Sequence, residues 1–282
     1  KHWEKHEILD NGMSIRLQPG IIGQRVNELL KPYVRKFAPD PASVKSAMVG
    51  GIVMNNASGM NCGTHANSDK MLLSARIVMA DGTVLDTGDE ESRTRFAEQK
   101  PEFIKKVEDL RDRVRANTKL AERIRYKYAI KNVTGLNILP LVRFDDPFDI
   151  IAHLMVGSEG TLAFLSEVTM NTEYDYPFKA SAMLYFKEIK EACKAVVAMK
   201  KLVNEKGEWI VKSAELLDKK SLASVNDTTG EGLTAILTET KASTREELQR
   251  YIAQIEDCLK DFTTFTPVHF TDKPEEYSKF WA

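Results

Sequence analysis

Val49-Gly50-Gly51-Ile52-Val53-Met54-Asn55-Asn56-Ala57-Ser58-Gly59 is the stretch on which the fold turns. Two adjacent glycines followed by small residues let a ligand lie close to the backbone. Exposed N–H groups in such a loop bind phosphate oxygens without a cationic side chain. Asn55, Asn56 and Ser58 add further hydrogen-bonding groups. Alone, a Gly-Gly turn is more often structural than functional. No Gly-Lys-Ser/Thr follows it, and it does not spell Gly-x-Gly-x-x-Gly, so it is neither a Walker loop nor a dinucleotide fingerprint. A second stretch, Gly157-Ser158-Glu159-Gly160-Thr161-Leu162, reads as a turn feeding an apolar strand.

Outward from these two points the chain alternates strands and helices. Glu4 to Leu9 and Met13 to Leu17 flank Asp10-Asn11-Gly12, and Asn-Gly supplies the positive φ angles of a hairpin turn. Ile22, Val26, Leu29, Leu30 and Tyr33 recur at helical spacing, which predicts a helix over Ile21 to Arg35, stopped by Pro39-Asp40-Pro41. Leu72 to Ala80 and Thr83 to Thr87 predict a second hairpin around Asp81-Gly82. Glu90 to about Lys131 is charged and helical in composition, split at Pro101. Its thin apolar stripe of Leu110, Val114, Leu120 and Ile124 suits an inserted helical hairpin. Asp145-Asp146-Pro147 opens a short apolar helix at Asp149 to Met155, and Leu162 to Asn171 is a strand.

A domain boundary is expected near Asp175 to Lys179, where the element order changes. Strands at Ala180 to Phe186, Trp209 to Leu217, Leu233 to Thr238 and Phe262 to Phe270 enclose helices at Lys187 to Glu205 and Thr244 to Lys260. That order is the ferredoxin-like pattern. The fold class read here is α+β: residues 1–176 as one domain with a helical insert at about 90–131, and 177–282 as a partial second domain. Lys1 is not Met, and no closing element is seen at Trp281-Ala282, so the chain is expected to be cut at both ends.

Composition narrows the function. A net charge of −1 leaves no general basic footprint for nucleic acid. No apolar run approaches the ~20 residues of a bilayer span, and Lys1 to Asn11 has no apolar signal-peptide core. Cys62, Cys193 and Cys258 are odd in number and far apart, which suits reduced thiols and a cytoplasmic setting. No spacing of these cysteines makes a metal or iron–sulfur site. His65 reads as a plain loop histidine ahead of a ligand contact. His153 reads as a satisfied core residue, and His269 ends an apolar strand. The basic stretch from Arg111 to Lys131 reads as a solvated helix face ahead of a docking surface for a partner or anionic lipid.

Taken in order, the motifs resemble the FAD-linked oxidases of the vanillyl-alcohol oxidase type, and within them the D-lactate dehydrogenase and glycolate oxidase flavoprotein group. The matching stretches are Pro39-Asp40-Pro41-Ala42-Ser43, Gly50 to Gly59, Asp81-Gly82-Thr83-Val84-Leu85-Asp86, Asn132-Val133-Thr134-Gly135 and Gly157 to Leu162. The insert and Asn61 to Ser68 resemble the branch fused to an iron–sulfur module.

The resemblance implies FAD as cofactor, with Ala47, Met48, Gly50 and Gly51 near the pyrophosphate and ribityl chain. Asn55, Asn56, Ala57, Ser58 and Gly59 continue along the cofactor. Cys62, Gly63, Thr64 and His65 lie nearer the isoalloxazine, and Glu159, Gly160, Thr161 and Leu162 at the adenosine end. It implies a second FAD subdomain, incomplete, followed by a partial ferredoxin-like cap.

The implied reaction is hydride transfer from C2 of a D-2-hydroxy acid to the flavin. Electrons then pass to an iron–sulfur module, a quinone or a carrier protein, in an enzyme of the cytoplasm or peripheral on the inner membrane face. The family's upstream glycine turn, its active-site histidine cluster and its iron–sulfur cysteines are not in this sequence. No catalytic residue or metal ligand is therefore assigned, and the chain by itself is expected to bind FAD weakly and to be inactive. Another oxidase of the superfamily (for a sugar, an alcohol or an ether-lipid precursor) and a non-catalytic module with a vestigial flavin shell both stay open.

Overall fold

The computed structural model describes residues 2–59, 62–133, 135–224 and 233–277. Asn61, Thr134 and Trp281-Ala282, named above, lie outside them. The chain divides into two compact units, Lys1–Asp175 and Tyr176–Ala282.

The first unit is organised around one long central strand. It runs β1 (His6–Leu9), β2 (Ser14–Leu17), α1 (Gly23–Leu30), β3 (Arg35–Phe37), α2 (Val49–Met54), α3 (Ser68–Met71), β4 (Leu72–Val78) and β5 (Val84–Asp86). Then come α4 (Glu90–Gln99), α5 (Pro101–Ala116), α6 (Thr118–Lys127), α7 (Pro140–Arg143), α8 (Pro147–Leu154) and β6 (Phe164–Tyr174). The sheet order is β1-β2-β6-β4-β5, with β3 paired to the far end of β6. All pairings are antiparallel, and β6 serves three partners because its eleven residues outrun each of them. Ile15, Leu17, Ile77, Leu85, Ile150 and Met170 are fully buried. Each contributes about 1.5–3 kcal/mol relative to exposure.

Both hairpins form where the turn residues put them. Asn11 and Gly12 take φ of 52° and 85°, and Gly82 takes 85°. The expected helix over Ile21 to Arg35 is shorter: α1 ends at Leu30. Pro32 has no N–H to donate four residues back, so the chain tightens into a 3-10 turn at Lys31–Tyr33 and enters β3. The charged insert is three helices, not a hairpin. Phe96, Val107, Ala121 and Ile124 are its buried apolar residues, whereas Leu110 and Leu120 of the expected stripe are exposed. Asp146 caps α8 by accepting from the Phe148 N–H at 2.7 Å.

The second unit comprises β7 (Phe178–Phe186), α9 (Ile189–Met199), β8 (Val211–Leu217), α10 (Lys219–Ser224), β9 (Thr234–Ala242), α11 (Arg245–Leu259) and α12 (Pro274–Tyr277). Its sheet is β7-β9-β8, fully antiparallel. Ala180, Ala182, Leu184 and Ile236 form a core with Ala192, Ala195, Leu248, Ile252 and Ile255 of the two long helices. Thr244 caps α11 through the Glu247 N–H at 3.1 Å. The fourth strand expected at Phe262 to Phe270 is not formed. That segment is irregular, and one antiparallel bridge joins Ser181 to Thr271 just beyond it. Its half-buried and exposed residues alternate, but without a ladder the alternation does not make a strand.

No helix among the described residues is long and apolar enough to cross a membrane. Cys62 is buried, Cys193 exposed and Cys258 half-buried, all as free thiols.

Candidate cofactor site

The glycine stretch is a helix where a loop was expected. Val49 to Met54 form α2, and their N–H groups are largely spent before any ligand arrives. Val49 donates to Ile21 O at 2.8 Å, Gly50 to Pro19 O at 2.9 Å and Ile52 to Met48 O at 3.0 Å. Val49, Ile52, Val53 and Met54 are buried in the core of the first unit. Met48, Gly51 and Asn55, spaced three and four apart, form the exposed face.

The two glycines have different reasons to be glycine. A Cβ on Gly50 would come within 2.6 Å of Pro19 Cβ, so Gly50 is small for packing against its own chain. A Cβ on Gly51 would meet nothing within 4 Å. Gly51 therefore leaves a bare patch of backbone between Met48 and Asn55. Ala47 sits behind this face, its carbonyl accepting from Gly23 N at 3.0 Å.

At the far end of α2 the second motif closes on the first, about a hundred residues away in sequence. Asn55 Nδ2 donates to Glu159 Oε1 at 2.7 Å, and the Glu159 N–H donates to Met54 O at 2.9 Å. Gly157, Glu159 and Gly160 take φ of 84°, 53° and 74°, so this turn needs two glycines. Gly160, like Gly51, has nothing within 4 Å of its Cβ position. Thr161 Oγ1 donates to Ser158 O at 2.6 Å, and Leu162 is exposed beyond it.

The remaining motif residues turn inward. Asn56 is buried with φ of 54°. Its Oδ1 accepts from Asp69 N at 3.1 Å and its Nδ2 donates to Asn132 O at 3.3 Å, so it ties three segments together. Asp69 Oδ1, beside it, is a buried acceptor without a partner. Ala57 is half-buried against the core. Ser58 Oγ donates to Asn67 Oδ1 at 3.0 Å and lies 2.8 Å from Cys62 Sγ, and that thiol donates to Gly59 O at 3.1 Å. A Cβ on Gly59 would fall 1.4 Å from Asp40 O, so Pro39-Asp40-Pro41 lies directly against it.

Gly63 takes φ of 52°, and Thr64 and His65 are exposed. His65 Nε2 sits 3.0 Å from Glu173 Oε1, with Lys36 Nζ 3.6 Å from the same carboxylate. Burial pushes the Glu173 carboxyl up, but the His65 bond and the Lys36 charge outweigh it and hold it below its ordinary value.

His153 is a core residue, its Nδ1 2.8 Å from Asp149 O and its ring 4.2 Å from that of Phe144. Burial pushes its pKa down. His269 is exposed. No group of three His, Cys, Asp or Glu side chains among the described residues could hold a metal ion.

An extended dinucleotide needs a stretch of wall without side chains, flanked by polar groups. The Met48–Gly51–Asn55 face, joined by Asn55 to Glu159 and Gly160, is such a wall, so the residues present fit FAD. A family model described as FAD binding domain matches residues 1–88. A second, described as FAD linked oxidases, C-terminal domain, matches residues 177–282. Residues 1–88 are thus an FAD binding domain, and residues 177–282 the C-terminal domain found in FAD linked oxidases.

Among its relatives, the D-2-hydroxyglutarate dehydrogenase of Haemophilus influenzae is 26% identical over 170 residues, covering 56% of this chain and 16% of that protein. The mitochondrial D-lactate dehydrogenase [cytochrome] of Arabidopsis thaliana is 22% identical over 275 residues, covering 95% of this chain and 37% of that protein. The chain thus spans a minor part of the length of both. An alkyldihydroxyacetonephosphate synthase structure superposes with a TM-score of 0.61 at 14% identity, over 99% of this chain and 44% of that one. At that identity the likeness establishes the fold alone, the FAD-binding fold of the vanillyl-alcohol oxidase type.

Asp40, Lys131 and Glu173 lie against the motif loop although no sequence pattern marks them as its neighbours. Asn132 and Gly135, part of a motif with no role assigned from sequence, contact Asn56 and approach Gly157.

Proposed function

We propose that this protein is an FAD-dependent oxidoreductase that oxidises a small D-2-hydroxy acid. The observation that carries the reading is the open Gly51 face closed at one end by the Asn55–Glu159 bond, in a chain matching both the FAD-binding and the oxidase C-terminal families. The substrate class is supported by relatives that carry the names D-2-hydroxyglutarate dehydrogenase and D-lactate dehydrogenase.

In this reading Met48, Gly51 and Asn55 lie along the cofactor, and Glu159 to Leu162 border its other end. When bound, FAD would supply the acceptor for the hydride from the substrate's C2, with the hydroxyl proton going to a base. The protein's own part is to hold the cofactor against a wall rigid enough to keep its position. Asn56, Gly59 and the Ser58–Cys62–Asn67 network supply that rigidity from behind. The electrons would then pass to an iron–sulfur module or a quinone.

The test is flavin extraction from the full-length protein, followed by dye reduction with D-lactate, glycolate and D-2-hydroxyglutarate. Bound FAD and bleaching of its visible band by at least one of the three acids are expected. Full-length protein that holds no flavin, or whose flavin none of the three reduces, overturns the reading.

A further inference from the structure

β9 is the middle strand of the second unit's sheet, and all nine of its residues are buried. Its two faces treat polar side chains differently. Ile236 and Ala242 mark the face that packs on α9 and α11. There the hydroxyls are spent: Thr238 Oγ1 donates to Ser213 O at 3.0 Å and Thr240 Oγ1 to Ile210 O at 2.7 Å. On the opposite face Glu239 is paired with Ser181 of β7 on one side and Ser213 of β8 on the other. Residues directly opposite each other point the same way, so the three side chains make one row across the sheet. Lys241, two residues on, shares that face.

The row is buried and incompletely satisfied. Glu239 is 4% exposed, Ser213 6% and Lys241 7%, and Ser181 is wholly buried. Ser181 Oγ reaches Glu239 Oε2 only at 3.4 Å. Lys241 Nζ lies 2.8 Å from Glu239 Oε1, but in a direction that makes an ion pair without a hydrogen bond, so Oε1 has no donor among the described residues. Ser213 Oγ has no hydrogen-bond partner among them either. The register of β8 slips between Val211 and Ser213, next to this row, and such an irregularity re-aims the side chains around it. A buried ion pair seldom stabilises a fold more than apolar residues of the same volume, and each orphaned polar atom adds a further cost. Packing therefore gives no reason to keep these groups here, whereas a polar ligand that satisfies them does.

We infer that this row recognises the polar end of the substrate. Ser213 Oγ donates to a carboxylate oxygen, the Lys241 charge attracts the same carboxylate, and Glu239 Oε1 accepts from a hydroxyl. A hydroxyl one carbon away from a carboxylate presents both groups together, which is the 2-hydroxy-acid class. The inference rests on the proposed oxidation of such an acid and assigns its recognition to named residues of the second unit.

The test compares Ser213→Ala and Lys241→Met with Thr240→Val in the full-length protein. KM and kcat are measured for dye reduction by D-lactate, glycolate and D-2-hydroxyglutarate, with Tm taken on each variant. Ser213→Ala removes a hydroxyl that holds nothing else in place, so a merely structural serine would leave KM unmoved. Its KM is expected to rise at least about tenfold, the loss of one hydrogen bond to a charged group, with kcat and Tm unchanged. Lys241→Met is expected to raise KM by at least as much. Should it fold poorly because the Glu239 charge is left buried and alone, the joint replacement Glu239→Gln with Lys241→Met is measured in its place, with the same rise expected. Thr240→Val, which loses a satisfied bond on the other face, is expected to lower Tm and leave KM unchanged.

A Ser213→Ala protein with wild-type KM, or a rise in KM equalled by Thr240→Val, overturns the recognition site and leaves the functional reading standing. An unaltered protein whose flavin none of the three acids reduces overturns both.

Discussion

Gly50 and Gly51 are neighbours that should respond oppositely to the same methyl group. At Gly51 the new Cβ enters open space, and alanine restricts the unfolded chain more than glycine does. A gain of about 0.5–1 kcal/mol is expected for Gly51→Ala in the cofactor-free protein. At Gly50 the new Cβ lands 2.6 Å from Pro19 Cβ and 3.2 Å from Pro19 O. Overpacking of this kind costs about 1–3 kcal/mol. The two variants should therefore differ by roughly 1.5–4 kcal/mol, and at about 2–4 °C per kcal/mol for a unit of this size their Tm values should separate by roughly 3–16 °C.

Cofactor binding should reverse part of that order. Gly51→Val fills the bare patch and should weaken FAD binding about a hundredfold, equivalent to about 2.7 kcal/mol, with little loss of fold. Scanning calorimetry of the cofactor-free forms and FAD titration of Gly51→Val are the assays. A Gly51→Ala variant less stable than Gly50→Ala would refute the packing argument. A Gly51→Val variant with wild-type FAD affinity would refute the placement of the cofactor on this face.

Gly59→Ala should be the most damaging single methyl in the motif loop, since its Cβ would fall 1.4 Å from the Asp40 carbonyl oxygen. Backbone must move, so a loss of at least about 3 kcal/mol is expected by urea denaturation, and a Tm within 2 °C of wild type would contradict the close approach. His153 makes stability depend on acid. Its pKa is lowered in the fold by burial, so below its ordinary value of 6.5 the unfolded chain takes up a proton that the native state refuses. Stability is then complete above pH 6.5 and falls as pH drops below it, by up to about 1.4 kcal/mol per pH unit. Urea unfolding at pH 7.5, 6.5 and 5.5 should show a shallower acid-side decline for His153→Gln than for the wild type, and equal slopes would remove His153 from the account.

Local chemistry made much of the molecule legible from sequence. Asn11-Gly12 and Asp81-Gly82 wrote their hairpins directly, because positive φ is available to few residues. Asp146-Pro147 announced the start of α8, and Thr244 that of α11, through caps that act within three residues. Gly157 and Gly160 marked a turn for the same reason. The motif order pointed to the FAD-linked oxidases before any coordinate did.

What sequence could not supply was which neighbour each small residue faces. Gly50 and Gly51 look alike in a string, yet one packs on Pro19 and the other opens to solvent, a difference set by the chain crossing from Pro19 to Ile21. The Asn-Asn pair likewise splits, Asn55 reaching Glu159 and Asn56 turning inward to Asp69 and Asn132. A stretch dense in glycine read as a loop but became α2, since burial of Val49, Ile52 and Val53 outweighs the roughly 1 kcal/mol that each helical glycine costs. Lys131, Asn132 and Gly135 carried no periodic signal, and only tertiary contacts bring them to Gly59, Asn56 and Gly157. Residue type fixed the turns and caps, because those are decided within a few bonds. The site was decided by contacts between residues from about a dozen to a hundred positions apart, which no local pattern encodes.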